Sequence, residues 1–153
     1  SMNAIRQGLV EAVIPGRFQV YSTQPMIILD VAHNPGAARV LAENLSATKP
    51  VGRTFAVFAM LQDKDIASVI EIVKDNIDVW LVASIRSPRA ASVDDLVRIM
   101  VQSGIENHQA IQPFPDCVAA FVYACERATK NDRICVFGSF HTVGDVLQHL
   151  NTL

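Results

Sequence analysis

The stretch MIILDVAHNP, in the first third of the chain, constrains the possible folds more than any other segment. Its first part, Met26–Leu29, is a continuous apolar run, which is typical of a β-strand buried on both faces. Asn34 is a favoured helix N-cap and Pro35 suits the first helical position. The stretch therefore predicts a strand, a polar turn carrying Asp30 and His33, and a helix, an arrangement in which open parallel sheets bind ligands. A purely structural interpretation, in which Asn34 only caps the helix and Asp30 only accepts backbone hydrogen bonds, is equally compatible with this one turn.

Strand and helix patterns alternate along the rest of the chain. An alternating segment at 17–21 predicts an antiparallel neighbour for the first buried strand. Strands that alternate with helices indicate parallel pairing with right-handed crossovers. The sequence thus predicts an α/β fold: a three-layer, Rossmann-like, mostly parallel six-stranded sheet with helices on both faces and an antiparallel strand near the N-terminus. The further strands are predicted at 54–60, 79–83, 109–112 and 133–137, and the helices after them are predicted to start at Asp65, Ser92, Pro115 or Asp116, and Ser139.

Composition excludes several classes of protein. The 153 residues suffice for one domain with a substantial core, and a hydrophobic content of 50% excludes a disordered chain. The net charge of −2 argues against nucleic acid as a partner, and no apolar run is long enough to span a membrane. The three cysteines lack metal-ligand spacing and are interpreted as buried thiols. No signal peptide is visible, so we expect a cytoplasmic protein without membrane contact.

Polar side chains follow four of the predicted parallel strands, and the loops that leave such strands share one edge of the sheet. Three cations among these side chains indicate an anionic ligand such as a phosphate or a carboxylate, although each alone could be an ordinary surface charge or cap. The chain contains neither GxxxxGK[ST] nor GxGxxG after a strand. The predicted site is therefore either one that another domain completes or one for a small anion. Its candidate residues are Asp30, His33, Lys64, Arg86, Arg89, Ser139 and His141.

Four motifs occur in an order that resembles one known family. They are GRFQ at 16–19, LDVAHNP at 29–35, MLQDKD at 60–65 and GSFHTV at 138–143. From about residue 13 onward the chain resembles the C-terminal domain of bacterial dihydrofolate synthase/folylpolyglutamate synthase, within the Mur ligase superfamily. Gly36 departs from the residue, often His, that close relatives carry after HNP.

The resemblance implies a ligase that adds L-glutamate to dihydropteroate or tetrahydrofolate with ATP and Mg²⁺, through an acyl phosphate. The P-loop and the main magnesium ligands of the family lie in a larger N-terminal domain, which would be the partner of this chain. Residues 1–16 are then a lead-in from that domain, and 17–153 form the Mur ligase C-terminal domain. We expect a monomer, and a fragment that is inactive alone.

The same resemblance assigns roles residue by residue. Arg17 matches a linker arginine that contacts ATP, and Asp30 matches an aspartate that also binds the nucleotide. His33 lies near the nucleotide and the reaction centre, and is the candidate catalytic residue. Ser139 matches a serine near the glutamate end of the site, and Lys64 and His141, in matching motifs, are grouped with it as substrate-binding candidates. No residue is assigned to a metal.

Two alternatives from other classes stay open. The chain could be a stand-alone module that binds a small anion or a nucleotide. It could also be a metal hydrolase that uses Asp30, His33 and His141, although these histidines lack the i, i+4 spacing of common zinc sites.

Overall fold

The structure, a computed structural model, describes residues 17–105 and 110–153. Six strands and five α-helices account for most of these residues. The predicted lead-in at 1–16 and the predicted strand residue Gln109 lie outside these residues. The strands are β1 (Gln19–Thr23), β2 (Met26–Asp30), β3 (Thr54–Phe58), β4 (Val79–Val82), β5 (Ile111–Pro113) and β6 (Arg133–Phe137). The helices are α1 (Pro35–Ala47), α2 (Ile66–Val73, followed by a 3₁₀ turn at Lys74–Asn76), α3 (Val93–Gln102), α4 (Cys117–Arg127) and α5 (Phe140–Asn151).

All six strands form one sheet in the order β1-β2-β6-β3-β4-β5. The β1–β2 pair is antiparallel and the other four pairs are parallel, which confirms the predicted fold class. In the central pairs, Phe137 is the partner of both Asp30 and Phe58. The loops that leave β2, β3 and β6 consequently emerge side by side at one edge of the sheet.

The sheet is covered on both faces, and each face has its own core. On one face, α1, α2 and α3 pack over a cluster that contains Trp80, Phe58 and Phe137, whose rings lie 4.9–6.0 Å apart between centroids. On the other face, α4 and α5 pack over Phe55, Leu81 and their neighbours. Two buried faces explain why the central strands read as unbroken apolar runs. Within the described residues, no helix has the length and apolar character needed to cross a bilayer.

Short polar side chains begin each of the five helices. In every case a side-chain oxygen accepts a hydrogen bond from a backbone N–H of the first turn, which would otherwise lack a partner. The α4 cap is Asp116, so the alternative start at Pro115 is excluded. The caps are Asn34, Asp65, Ser92, Asp116 and Ser139.

Two predicted strands extend two residues past one end of the observed strand. The first was expected to include Arg17, but Phe18 adopts a φ of 42°, which no β-strand allows, and β1 begins at Gln19. The third was expected to run to Met60 but ends at Phe58. The carbonyl of Ala59 accepts a hydrogen bond from the Thr142 hydroxyl instead, so tertiary contacts end the strand.

A buried arginine joins the other edge of the sheet to α1. Arg133 is 1% exposed. Its Nε donates to Thr54 Oγ1 at 3.0 Å, and its Nη1 donates to the carbonyls of Leu45 at 2.7 Å and Thr48 at 3.0 Å. Burial lowers the pKa of this guanidinium, which nevertheless stays protonated. The charge lies at the C-terminal end of α1, where a helix favours a cation.

Arg133→Met should destabilise the fold because it removes these hydrogen bonds and leaves buried helix carbonyls without a donor. We expect the free energy of unfolding to fall by about 2–3 kcal/mol. Urea denaturation would measure this change. Arg98→Met is the matched control, since Arg98 is exposed in a pair with Asp95 and should change stability by less than about 0.5 kcal/mol. Equal effects of the two substitutions would contradict the role of Arg133.

Candidate functional site

A cleft of about 670 Å³ opens where β2 gives way to α1, at the carboxyl edge of the sheet. We call it the Asp30 cleft. Three of its lining residues, Arg17, Asp30 and His33, were predicted as site residues, and the structure brings them together. Its other walls are mostly apolar and come from α1 and from the first residue of α5. The lining residues are Arg17, Phe18, Asp30, Val31, Ala32, His33, Asn34, Gly36, Ala37, Val40, Asn44 and Phe140.

The carboxylate of Asp30 connects the two strands that border the cleft. Its Oδ2 accepts a hydrogen bond from the Phe18 amide at 2.9 Å, and its Oδ1 accepts one from the Ala32 amide at 2.8 Å. The residue is only 8% exposed. Burial raises the pKa of Asp30 above its ordinary value, against the two amide hydrogen bonds and the positive charge of Arg17, which lower it. The carboxylate thus fixes both the polar turn and the chain that enters β1.

The hydrogen bond to Asp30 explains the backbone conformation of Phe18. A φ of 42° is uncommon for a residue with a side chain, because Cβ crowds the backbone there. The hydrogen bond that the Phe18 amide donates to Asp30 compensates for that cost and turns the chain just before β1. Arg17, immediately before the turn, is exposed and lines the cleft. The bend therefore determines where this cation lies.

His33 is held by a backbone contact and a ring contact. Its Nδ1 lies 2.8 Å from the carbonyl oxygen of Val31. A carbonyl can only accept, so Nδ1 carries the proton in this bond, and Nε2 of the neutral ring is left as an acceptor. The ring of Phe140 lies 5.8 Å from the imidazole between centroids. The imidazole is thus oriented within the cleft from two sides.

Ser139, Lys64 and His141 do not line the Asp30 cleft, although their loops leave the same edge of the sheet. Ser139 is 4% exposed, and its hydroxyl bonds the Thr142 amide at 3.0 Å and the Thr142 hydroxyl at 2.8 Å. Its observed contacts are those of a helix cap. Lys64 is half-buried in the turn before α2, and His141 is exposed in the first turn of α5.

The two arginines of the predicted anion site also lie outside this cleft. Arg89 forms an exposed ion pair with Asp63. Arg86 lines a separate groove beside α4 and α5 that also contains Asp116 and Asp145. The three predicted cations, Lys64, Arg86 and Arg89, are therefore absent from the lining of the Asp30 cleft, where Arg17 supplies a positive charge.

Two exposed apolar residues of the cleft wall, Val40 and Phe140, were not predicted from the sequence. Phe140 is 66% exposed and Val40 is 58% exposed, which is unusual for large apolar side chains in a well-packed domain. Phe140 continues the apolar stripe of α5, so the pattern alone places it in the core. It escapes burial because it starts the helix, beyond the end of β6. The GSFHTV motif was the one signal that could have identified it.

A metal centre finds no support among the described residues, where no group of three or more His, Cys, Asp or Glu side chains could hold an ion. His141 does not line the cleft with Asp30 and His33, and these three residues form no such group, so the metal hydrolase alternative loses its ligand set. Both Asp30 oxygens already accept backbone hydrogen bonds.

The fold and the cleft define a Rossmann-like α/β domain with a small polar site at the carboxyl edge of its sheet. A family described as Mur ligase, glutamate ligase domain, matches residues 16–140. The match covers most of the chain, and the chain belongs to this family.

Several similar proteins are longer than this chain. The Escherichia coli dihydrofolate synthase/folylpolyglutamate synthase is 38% identical over 97% of this chain. A solved structure of E. coli FolC in complex with ADP matches 99% of the chain with a TM-score of 0.84. A bifunctional folylpolyglutamate synthase/dihydrofolate synthase with Mn, AMPPNP and L-glutamate bound is 43% identical, with a TM-score of 0.82 over 99% of the chain. The chain spans about a third of each: 33% of the E. coli sequence and 35% of each solved chain.

The raised pKa of Asp30 predicts a pH dependence of stability. The unfolded chain loses this proton near the ordinary value of 3.8, and the folded chain loses it at a higher pH. The stability that Asp30 contributes is therefore fully present below 3.8 and is lost as the pH rises through the folded pKa. Asp30→Asn removes this titration, so the stability of wild type relative to the variant should decrease as the pH rises above 3.8.

Urea denaturation at several pH values in that range measures the difference. Asp94→Asn, which changes an exposed carboxylate at the start of α3, is the control for the loss of one charge. A wild-type advantage over Asp30→Asn that stays constant with pH would contradict the assignment.

Proposed function

We propose that this chain is the C-terminal domain of an ATP-dependent ligase that adds L-glutamate to dihydropteroate or tetrahydrofolate through an acyl phosphate. A P-loop domain, in the part of the relatives that this chain does not cover, would bring the triphosphate. The main support is the meeting of Arg17, Asp30 and His33 in one cleft, at the edge where parallel sheets bind ligands. The similarity to synthases solved with ADP or AMPPNP supports the choice of nucleotide.

The Asp30 cleft has the features that a nucleotide requires. A volume of about 670 Å³ suits part of such a ligand, and its apolar wall at Val40 and Phe140 offers a surface for a flat ring. Arg17 supplies a positive charge for an anionic group. Each oxygen of Asp30 retains one lone pair beside its backbone hydrogen bond and can accept from a ligand hydroxyl. The residues of this chain therefore fit the nucleotide.

ATP supplies the phosphoryl group that activates the substrate carboxylate. The contribution of this chain is to hold the nucleotide and to keep water from the activated carboxylate when the two domains close. Arg17 contacts the nucleotide from the interdomain side, and Asp30 keeps Arg17 in place through the Phe18 amide. His33, with Nε2 as an acceptor, is placed to orient a proton-bearing group near the reacting atoms.

Ser139, Lys64 and His141 belong to the glutamate side of the proposed site. Their loops leave β6 and β3, which follow β2 in the order of the sheet, so they flank the Asp30 cleft. Ser139 acts here by fixing the start of α5. Lys64 supplies a positive charge that can pair with the carboxylate of an amino acid. His141, which is exposed, supplies a polar ring.

Magnesium is assigned to the partner domain in this proposal. The described residues of this chain include no cluster of carboxylates or histidines that would hold it. The structure with Mn and AMPPNP supports a divalent ion in the relatives.

The role of Arg17 can be tested in the full-length protein that carries this domain. Arg17→Ala should raise the KM for ATP by roughly tenfold or more, because a charge-assisted hydrogen bond contributes about 1.5–3 kcal/mol. Asp30→Ala should act in the same direction, since it releases Phe18 and Arg17. Steady-state kinetics with varied ATP measures both effects. Arg39→Ala is the matched control on the exposed face of α1, and an equal rise in KM for it would refute the assignment.

The stand-alone binding module remains the competing function, and the gene distinguishes the two. The ligase proposal predicts GxxxxGK[ST] upstream in the same reading frame. It also predicts that the 153-residue chain alone shows no folate-dependent turnover of ATP. A reading frame without that motif would favour the binding module.

A further inference from the structure

A second cleft, of about 510 Å³, lies at the opposite edge of the sheet, beside the amino ends of β3 and β4. It shares no lining residue with the Asp30 cleft, so a ligand bound in it would be independent of the proposed function. We call it the Arg53–Arg127 cleft. Its polar and aromatic lining comes from Arg53, Phe55, Asp78, Gln112, Tyr123 and Arg127.

Each arginine of this cleft is stacked on an aromatic ring. The guanidinium carbon of Arg53 lies 4.8 Å from the ring centroid of Phe55, and that of Arg127 lies 4.1 Å from the ring centroid of Tyr123. Stacking uses the flat face of a guanidinium and leaves its N–H donors, which lie in the plane, free to bond other groups. It also limits the motion of a long side chain, which reduces the entropy lost when a ligand binds.

Asp78 and Asp132, near the cleft, bond to the backbone, and Glu126 forms only a long, exposed ion pair with Arg127. Asp78 accepts from the Thr54 amide at 2.7 Å. Asp132, close to Arg53, accepts from the Arg53 backbone amide at 2.8 Å and from the Thr129 amide at 2.7 Å. Glu126 approaches Arg127 only to 3.8 Å, with both side chains more than half exposed.

In the described part of the chain, neither guanidinium therefore donates a hydrogen bond to a carboxylate. Two oriented cations in one cleft favour an oxyanion, because a guanidinium pairs with carboxylate or phosphate oxygens through two parallel hydrogen bonds. The cleft is larger than a bare ion requires and lies in the size range of small-molecule pockets. The carboxylate of Asp78 repels negative charge, so the cleft disfavours a ligand that is anionic along its whole length. The anionic group of a ligand is therefore expected beside the two arginines.

We propose that the Arg53–Arg127 cleft binds the acidic group, carboxylate or phosphate, of a small organic anion through both guanidinium groups. The open position of the arginines makes this binding weak and sensitive to salt. The site lies a full strand length from the Asp30 cleft, so occupation of one cleft does not block the other.

The test is an NMR titration of the 153-residue chain, with backbone amide shifts recorded at constant ionic strength. Malonate probes the carboxylate and phenyl phosphate probes the phosphate, and sodium chloride is the reference titration. We expect saturable shifts at Arg53, Gln112, Tyr123 and Arg127, with a Kd on the order of 1 mM for the preferred probe. The probe that binds more tightly identifies the acidic group.

Matched variants distinguish binding at this cleft from nonspecific electrostatic attraction between the protein and the anionic probe. Arg53→Gln and Arg127→Gln should each weaken binding by roughly tenfold, the effect of one lost charge-assisted hydrogen bond. Arg127→Lys keeps the charge but loses the paired hydrogen bonds, so it should bind more weakly than wild type and more tightly than Arg127→Gln. Arg98→Gln removes an arginine outside the cleft and should leave the Kd unchanged.

Shifts that increase linearly with both probes, or that sodium chloride reproduces, would overturn the proposal. Equal affinities of Arg127→Gln and Arg98→Gln would also overturn it. The fold of each variant is checked by the amide shifts of β6, which lie in the core and should not change.

Discussion

The bridge from the Asp30 carboxylate to the amides of Phe18 and Ala32 is the interaction on which the candidate site depends. Sequence places Arg17 and His33 sixteen residues apart, and β1–β2 pairing alone would let Arg17 continue as part of a strand. A carboxylate with one amide on each oxygen bends the chain at Phe18 and closes the turn at Ala32. The two amides offset only part of the cost of burying this charge, because the pKa of Asp30 stays raised in spite of them.

The predictions that succeeded rest on local rules. Apolar runs located the buried strands, and side chains that can cap a helix located Asn34, Asp65, Ser92 and Ser139 as helix starts. These rules hold because a helix end must satisfy its own amides wherever it lies in the fold. The bend at Phe18 follows a different rule, since its cause is a carboxylate twelve residues away. No local pattern encodes such a partner.

The candidate site was predictable in part for the same reason. The alternation of strands and helices indicates parallel pairing, so the loops could be assigned to one edge of the sheet. The direction in which each side chain points could not be predicted. Arg89 pairs with Asp63, and Arg86 lies in another groove. The burial of Arg133 was equally invisible, because its carbonyl partners at Leu45 and Thr48 are about ninety residues away in sequence. Charged residues at strand ends are thus the least predictable part of this fold.

Gly138 makes the two sides of the Asp30 cleft mechanically unequal. It has a φ of 122°, and a Cβ there would lie 2.1 Å from the carbonyl oxygen of Ala59. The ends of β3 and β6 are therefore in backbone contact, and α5 with Phe140 starts from an anchored base. The opposite wall, at Arg17, is held through the amide–carboxylate bond of Phe18 and the packing of the Phe18 side chain against the core. A ligand that enters the cleft meets a backbone-anchored wall on the Phe140 side and a long, exposed arginine side chain on the other, so adjustment to its shape falls on Arg17.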